Sequence, residues 1–238
     1  ETDYKEVINN LAPLIYNCLS LNHAKEVEFV KLGALPHLRS LSLVKLPFRQ
    51  FILPIMCELV YCGKSIRAKL RSCDILGLYF NLLLDPYWQS NALESLYAWY
   101  QMSPRHVKLD GPQANSCLAA GFLLPNVASL ESVLDVYLKL MTMDATLVRT
   151  MLEVNIVENI VVKLKYHHQH PVIQVLLLKI LKHILMNVVI AGFNRPNEKE
   201  KEVIGQVVEL LQGLPLRQTS LLVGEISTEI LHLLQRGN

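Results

Sequence analysis

The side chains best suited to chemistry in this chain are cationic. Arg49, Lys64, Arg67 and Arg71 fall within one stretch, and a guanidinium fork meets phosphate oxygens two at a time. Arg67 and Arg71 are four residues apart, so a helix projects them together, and Lys64 at the preceding turn approaches the same face. Like charges at this spacing weaken an isolated helix slightly, a cost that makes sense if an anion sits between them. These four residues are read as a phosphopeptide-binding set, with Lys69 adding to the field. Trp88 and Asn91, three apart, share a helix face. An indole wall beside an amide that bonds both N–H and C=O would clamp an extended peptide. A solvated cationic surface and a core tryptophan are the competing readings of the same residues.

Other chemistries are weaker. Tyr166-His167-His168-Gln169-His170 has no carboxylate or cysteine close in sequence to complete a metal shell, so it reads as a solvated loop between helices. Cys18, Cys57, Cys62, Cys73 and Cys117 form an odd set without metal-type spacing. They read as reduced, mostly buried thiols of a cytosolic or nuclear compartment. Glu26 and Glu28 lack an accompanying base or nucleophile. There is no Gly-rich loop before a strand, no His-Arg-Asp loop and no Asp-Phe-Gly. No metal, no cofactor and no enzymatic activity are expected.

The elements that must position these residues are helical. Of the 238 residues 51% are hydrophobic and 18% charged, enough for a large core and too apolar for disorder. The longest apolar run, Val172 to Gly192, is interrupted by Gln174, Lys179, Lys182, His183 and Asn187, which argues against a membrane span. The polar start at Glu1, without Met or a secretory signal, reads as that of an excised fragment. Net charge is +2, yet between Phe29 and Cys73 eight basic residues face the single acid Glu58. A basic half on a nearly neutral chain suggests an anionic partner. Nucleic acid is not expected, because the patch carries no nucleic-acid motif.

A recurring phrase organises the chain: Pro47-Phe48-Arg49-Gln50, Pro86-Tyr87-Trp88-Gln89 and Pro171-Val172-Ile173-Gln174. Four preceding segments also align, starting at Gly33, Asp74, Phe122 and Asn155, with apolar residues at the third, sixth and ninth places. In the last of them the ninth place is lost to Lys163. Units that repeat this way stack to bury a shared core. The expected fold is all-α, an armadillo/HEAT-like α-solenoid of about four to five repeats with terminal capping helices. It would be one domain over 1–238, with a basic half (1–100), further repeats (101–190) and C-terminal capping or dimerisation helices (200–238).

In detail, Val7 to Leu21 is a capping helix that Pro13 could break. Pro54 should kink the helix begun by Pro47 near Gln50. Gly63 ends that helix, Ser65–Arg71 and Ile75–Leu84 follow, and Asp85 caps a third helix with Pro86 at its first position. Ser103 to Asn115 is the main internal loop, and Gly192 to Glu202 is a second polar stretch. Helices over roughly Lys201–Leu211 and Thr219–Gln235, broken by Gly213 and Pro215, end the chain. In an armadillo array Arg49, Trp88 and Ile173 would start the third helices and face a bound peptide. Tyr97, Trp99 and Tyr100 cannot all face one core and suggest a homodimer contact. The alternative is a constitutive apolar adaptor using the stripe Val203, Val207, Leu210 and Leu211.

The stretch from Pro47 to Tyr100 adds a family resemblance. It carries Pro54-Ile55-Met56-Cys57-Glu58-Leu59-Val60, Gly63-Lys64, Arg67, Leu70, Leu78-Tyr79, Leu83-Leu84-Asp85-Pro86-Tyr87-Trp88-Gln89 and Asn91-Ala92-Leu93-Glu94-Ser95-Leu96. This resembles the armadillo-like, non-catalytic region that follows the kinase domain in fungal protein kinases of the mitotic exit and septation initiation networks. Plant epsilon-type MAP kinase kinase kinases carry a related region. The close match spans roughly Ala24 to Tyr100. The resemblance implies a recruitment module, brought to the spindle pole body by a scaffold whose phosphorylation controls binding, and capable of self-association. A cytoplasmic and spindle-pole location follows from it.

Overall fold

Apolar residues three and four apart fold the chain into helices joined by short turns. The computed structural model describes residues 2–45, 47–105, 107, 109, 111–125, 127–154, 156–190, 205, 207–213 and 220–236, and among these there is no strand. They fall into two compact units, residues 1–108 and 109–238.

The first unit holds α1 (Thr2–Leu19), α2 (His23–Lys31), α3 (Leu35–Leu43), α4 (Arg49–Glu58), α5 (Lys64–Ser72), α6 (Ile75–Leu82) and α7 (Gln89–Met102). A single 3₁₀ turn, Leu59–Tyr61, follows α4 directly. α4 is the hub and packs on α1, α3, α7 and that turn. Its Ile52, Leu53, Ile55 and Met56 are buried, with Ile66 and Leu70 of α5, Tyr79 of α6 and Trp99 of α7. Asn22 caps α2 by accepting from the Lys25 N–H at 3.2 Å. Gly63, with φ +101°, supplies the left-handed bend before α5.

The second unit holds α8 (Pro112–Phe122), α9 (Leu130–Met143), α10 (Ala145–Glu153), α11 (Ile156–Tyr166), α12 (Pro171–Ile190) and α13 (Leu221–Arg236). Residues 207–213 are also helical. Here α12 is the hub, packed on α9, α10, α11 and α13. No described helix is long and apolar enough to cross a membrane.

Several expectations are corrected. The third aligned segment, Phe122 to Leu130, is not a helix but the connection from α8 to α9. The α8 hydrogen bonds run out with Leu123 N–H to Ala119 and Leu124 N–H to Gly121, and Pro125 has no N–H to continue them. Pro47 and Pro86 do not open helices. Both lie in turns, and α4 and α7 begin at Arg49 and Gln89. Asp85 accordingly bonds the Tyr87 N–H within that turn, at 3.0 Å. Pro13 lies inside an unbroken α1. The Ser103–Asn115 loop is shorter than expected, because α8 begins at Pro112. The stretch Gly192 to Glu202, Asn126, Asn155, Val203 and Pro215 lie outside the described residues. Within the adaptor stripe Val207 and Leu211 are buried and Leu210 is half-buried.

Candidate functional site

α5 reads Lys64-Ser65-Ile66-Arg67-Ala68-Lys69-Leu70-Arg71-Ser72, with four cations and no acid. Ile66 and Leu70 are buried and fix which face points inward. At 3.6 residues per turn Lys64, Arg67 and Arg71 then lie within about 60° of one another on the outward side. Lys69 falls on the opposite flank. Lys64 and Arg71 are exposed and Arg67 is half-buried. The Arg67 Nη1 donates to the Val60 carbonyl at 3.0 Å and meets Met102 Sδ at 3.3 Å. Arg67 therefore anchors the stripe, while Lys64 and Arg71 present it.

Arg49 has another task. Its Nε donates to the Ser42 carbonyl at the end of α3, at 2.9 Å. Its Nη1 lies 3.6 Å from Asp85 Oδ2, with both side chains largely shielded from water. Asp85 precedes α7 and Met102 ends it, so Arg49 and Arg67 stand at opposite ends of a helix about 20 Å long. The four expected cations thus do not form one cluster. Arg49 leaves the set, because it staples the end of α3 to the turn before α7.

Trp88 is half-buried at the N-cap of α7 and Asn91 is exposed one turn on. Tyr87 beside them is 80% exposed. The expected dimer aromatics separate. Trp99 is 1% exposed and packs edge-on against Tyr79, ring centres 6.2 Å apart, so it is core and offers no surface. Tyr97 and Tyr100 are half-buried, and the Tyr97 hydroxyl accepts from Gln101 Nε2 at 2.6 Å. The sequence carried a signal for this division, since Trp99 continues the stripe Ala92–Leu96 at helical spacing.

In the second unit Ile173 lines a cleft of about 720 Å³ with Glu131, Asp135, His167 and His170. With two acids and two histidines in its lining, and Asp135 paired to Lys139 at 2.6 Å, the cleft is not a cationic stripe like that of α5. His167 packs edge-on against Tyr166 and His170, and burial, with His170 and Lys163 nearby, lowers its pKa.

One cluster was not anticipated. His23 and Glu26 occupy the first turn of α2, with His23 Nδ1 2.8 Å from Glu26 Oε2. Cys62 follows the 3₁₀ turn, and its thiol donates to the same Oε2 at 3.0 Å. Its sulfur is 3.6 Å from His23 Nδ1. Glu26 is fully buried, and its Oε1 has no hydrogen-bond partner among the described residues. Burial, with the Glu26 carboxylate beside it, pushes the Cys62 thiol up to about 12. Burial and then the Glu26 charge also raise the pKa of Glu58. His23-x-x-Glu26 is visible as an i, i+3 pair, but Cys62 joins it only through the fold.

The chain shares extended similarity with proteins named for cytokinesis and cell division and with a named protein kinase. It is 27% identical over 188 residues to the cytokinesis protein sepH of Emericella nidulans, covering 76% of this chain and 14% of that one. It is 24% identical over 215 residues to MAP3K epsilon protein kinase 1 of Brassica napus, covering 88% and 16%. A shorter stretch of 108 residues is 29% identical to cell division control protein 7 of Schizosaccharomyces pombe, covering 45% and 10%. The chain thus spans about one sixth or less of these relatives. No family model and no solved structure matches it. Among the described residues the regular structure is helical and no strand occurs, which is not the fold of a kinase catalytic domain.

Proposed function

We propose that this chain is a non-catalytic, armadillo-like recruitment module of a cell-division protein kinase, cytoplasmic and directed to the spindle pole body. It binds a phosphorylated linear segment of a scaffold there. The observation that carries the reading is the stripe Lys64, Arg67 and Arg71 on a helix without an acid. A phosphate adds about −1.5 to −2 charge and strong acceptors, the complement of such a stripe. The names of the relatives supply the cell-division and kinase setting.

Trp88 and Asn91 extend the site toward the start of α7. From Asn91 to Met102, where Arg67 sits, the helix runs about 17 Å, the reach of about five extended residues. The ligand is therefore a segment whose phosphorylated residue stands about five positions from the residue held by Trp88 and Asn91. Self-association through Tyr97 and Tyr100 belongs to the same reading.

The test is binding to a degenerate library of phosphothreonine and phosphoserine peptides and to its unphosphorylated counterpart. The phosphorylated library binds more tightly, and the double variant Lys64→Glu/Arg71→Glu loses that preference while its helical circular dichroism is unchanged. Equal retention of the two libraries would end the phosphate reading. Arg67 is left intact in the test because its contacts with Val60 and Met102 are structural.

A further inference from the structure

The geometry points to a zinc site made by His23 Nδ1, the Glu26 carboxylate and Cys62 Sγ, tying the start of α2 to the turn before α5. The three residues offer one nitrogen, one oxygen and one sulfur, all within 4.8 Å of one another. Imidazole, carboxylate and thiolate are ligands of tetrahedral zinc, with bonds of about 2.0–2.3 Å. A tetrahedron of that size separates its ligand atoms by about 3.3–3.7 Å. The Cys62–His23 distance of 3.6 Å already fits. The two contacts to Glu26 Oε2, 2.8 and 3.0 Å, are hydrogen-bond lengths. They need to open by only about half an ångström as the metal replaces the protons between them.

Glu26 supplies the independent observation. A fully buried carboxylate with one oxygen lacking any donor is a costly arrangement for a helix that does nothing with it. A cation relieves it. Among the described residues His23 is the one ion-pair partner of Glu26, and its side chain is 54% exposed. Glu58 adds to the same negative field. The exposed flank leaves the fourth position to water, the pattern of a three-ligand site. The charges balance, because Zn²⁺ meets one carboxylate and one thiolate with a neutral imidazole. On binding, the Cys62 S–H proton passes to solvent. His23 coordinates as the tautomer protonated on Nε2, any Nδ1 proton leaving likewise.

The site stands apart from the phosphate stripe but adjoins it, since Cys62 is two residues before Lys64. The test uses the full chain, without a histidine tag, titrated with cobalt(II) alone and then with zinc alone. One equivalent of cobalt gives a thiolate-to-metal charge-transfer band and the strong visible bands of a tetrahedral ion, and zinc removes both. Cys62→Ala abolishes the charge-transfer band and Glu26→Gln weakens binding at least tenfold, whereas Cys18→Ser, Cys73→Ser and Cys117→Ser change neither. Should Cys62→Ala misfold, Cys62→Ser decides: it keeps the size of the side chain and a hydrogen bond to Glu26, and it too loses the thiolate charge-transfer band. Absence of the band at one equivalent, or its survival in whichever of the two variants folds, overturns the site. Phosphopeptide binding is measured separately, so failure of the metal site leaves that reading to its own test.

Discussion

Lys163 stands at the ninth place of its aligned segment, where the other segments carry leucine, and it is buried there after all. It is 6% exposed, and its Nζ donates to the Leu124 carbonyl at 2.9 Å. The apolar stripe is kept by the stem of the lysine, while its tip satisfies a carbonyl in the α8–α9 connection. Burial lowers the Lys163 pKa from the ordinary lysine value. The unfolded chain then binds the extra proton over the window between the two values, so stability rises with pH through that window. Below it, both states are protonated and the cost of the buried charge is fully present. Lys163→Met removes this dependence. Urea unfolding of the two proteins should show a stability difference that changes as the pH rises toward the ordinary lysine value and is constant above it, and a difference that is constant throughout would refute the assignment. Gln174, which closes the last Pro-x-x-Gln phrase, is a second buried polar residue. It is fully buried, and neither Nε2 nor Oε1 has a hydrogen-bond partner among the described residues. Gln174→Met should raise stability by about 1–2 kcal/mol, measured by the same unfolding; a loss would reveal a partner for the amide.

At the scale of elements, helix ends are closed by side chains from other helices. The Arg49 guanidinium meets the Ser42 carbonyl at the end of α3, and Arg67 meets Val60 in the 3₁₀ turn. Tyr79 on α6 donates to the Met56 carbonyl of α4 at 2.6 Å, and Ser95 on α7 to that of Cys57 at 3.2 Å. Tyr137 on α9 donates to the Leu118 carbonyl, one turn before the end of α8, at 2.8 Å. The last four carbonyls of a helix have no intrahelical partner, and the donors to Ser42, Met56 and Cys57 supply one at the ends of α3 and α4. Tyr79→Phe keeps the packing and leaves the Met56 carbonyl without its hydroxyl, so it should cost about 1–3 kcal/mol in denaturant unfolding, with the helical signal retained. How much of this was legible differs by element. α3, α5, α6 and α11 are readable from apolar spacing, and Gly63 marks a real boundary. The segment from Phe122 was misread because its apolar spacing imitates α3, while the end of α8 before Pro125 decides its structure. The roles of Arg49 and Arg67 were not legible, because both are set by carbonyls seven residues back on another element. Cys62 was hidden for the same reason, being brought to α2 from 36 residues away.

At the scale of the molecule, charge and unit boundary coincide. The basic run from Lys31 to Arg71, the α5 stripe and the Trp88–Asn91 pair all belong to the first unit, residues 1–108. The similarity to sepH covers 188 residues and so takes in part of the second unit as well. The cleft at Ile173, lined by acids and histidines alike, differs in charge from the first unit's stripe. The two proposed modes of association, a phosphopeptide on the α5 stripe and self-association through the aromatic surface, separate by salt. Exposed cation–phosphate pairs contribute about 0.2–1 kcal/mol each and are screened by ions, so two or three of them weaken by roughly tenfold in Kd between low and high salt. Contacts through Tyr97, Tyr100 or the exposed Tyr87 bury apolar surface, and salt does not weaken them. Phosphopeptide titrations at about 0.03 and 0.5 M sodium chloride, beside the solution mass at both, therefore distinguish the two. The expected outcome is peptide affinity that falls with salt while a dimeric mass persists. A peptide affinity indifferent to salt would move the contact from the α5 stripe to the aromatic surface, and a monomeric mass at both salts would remove Tyr97 and Tyr100 from any role in self-association.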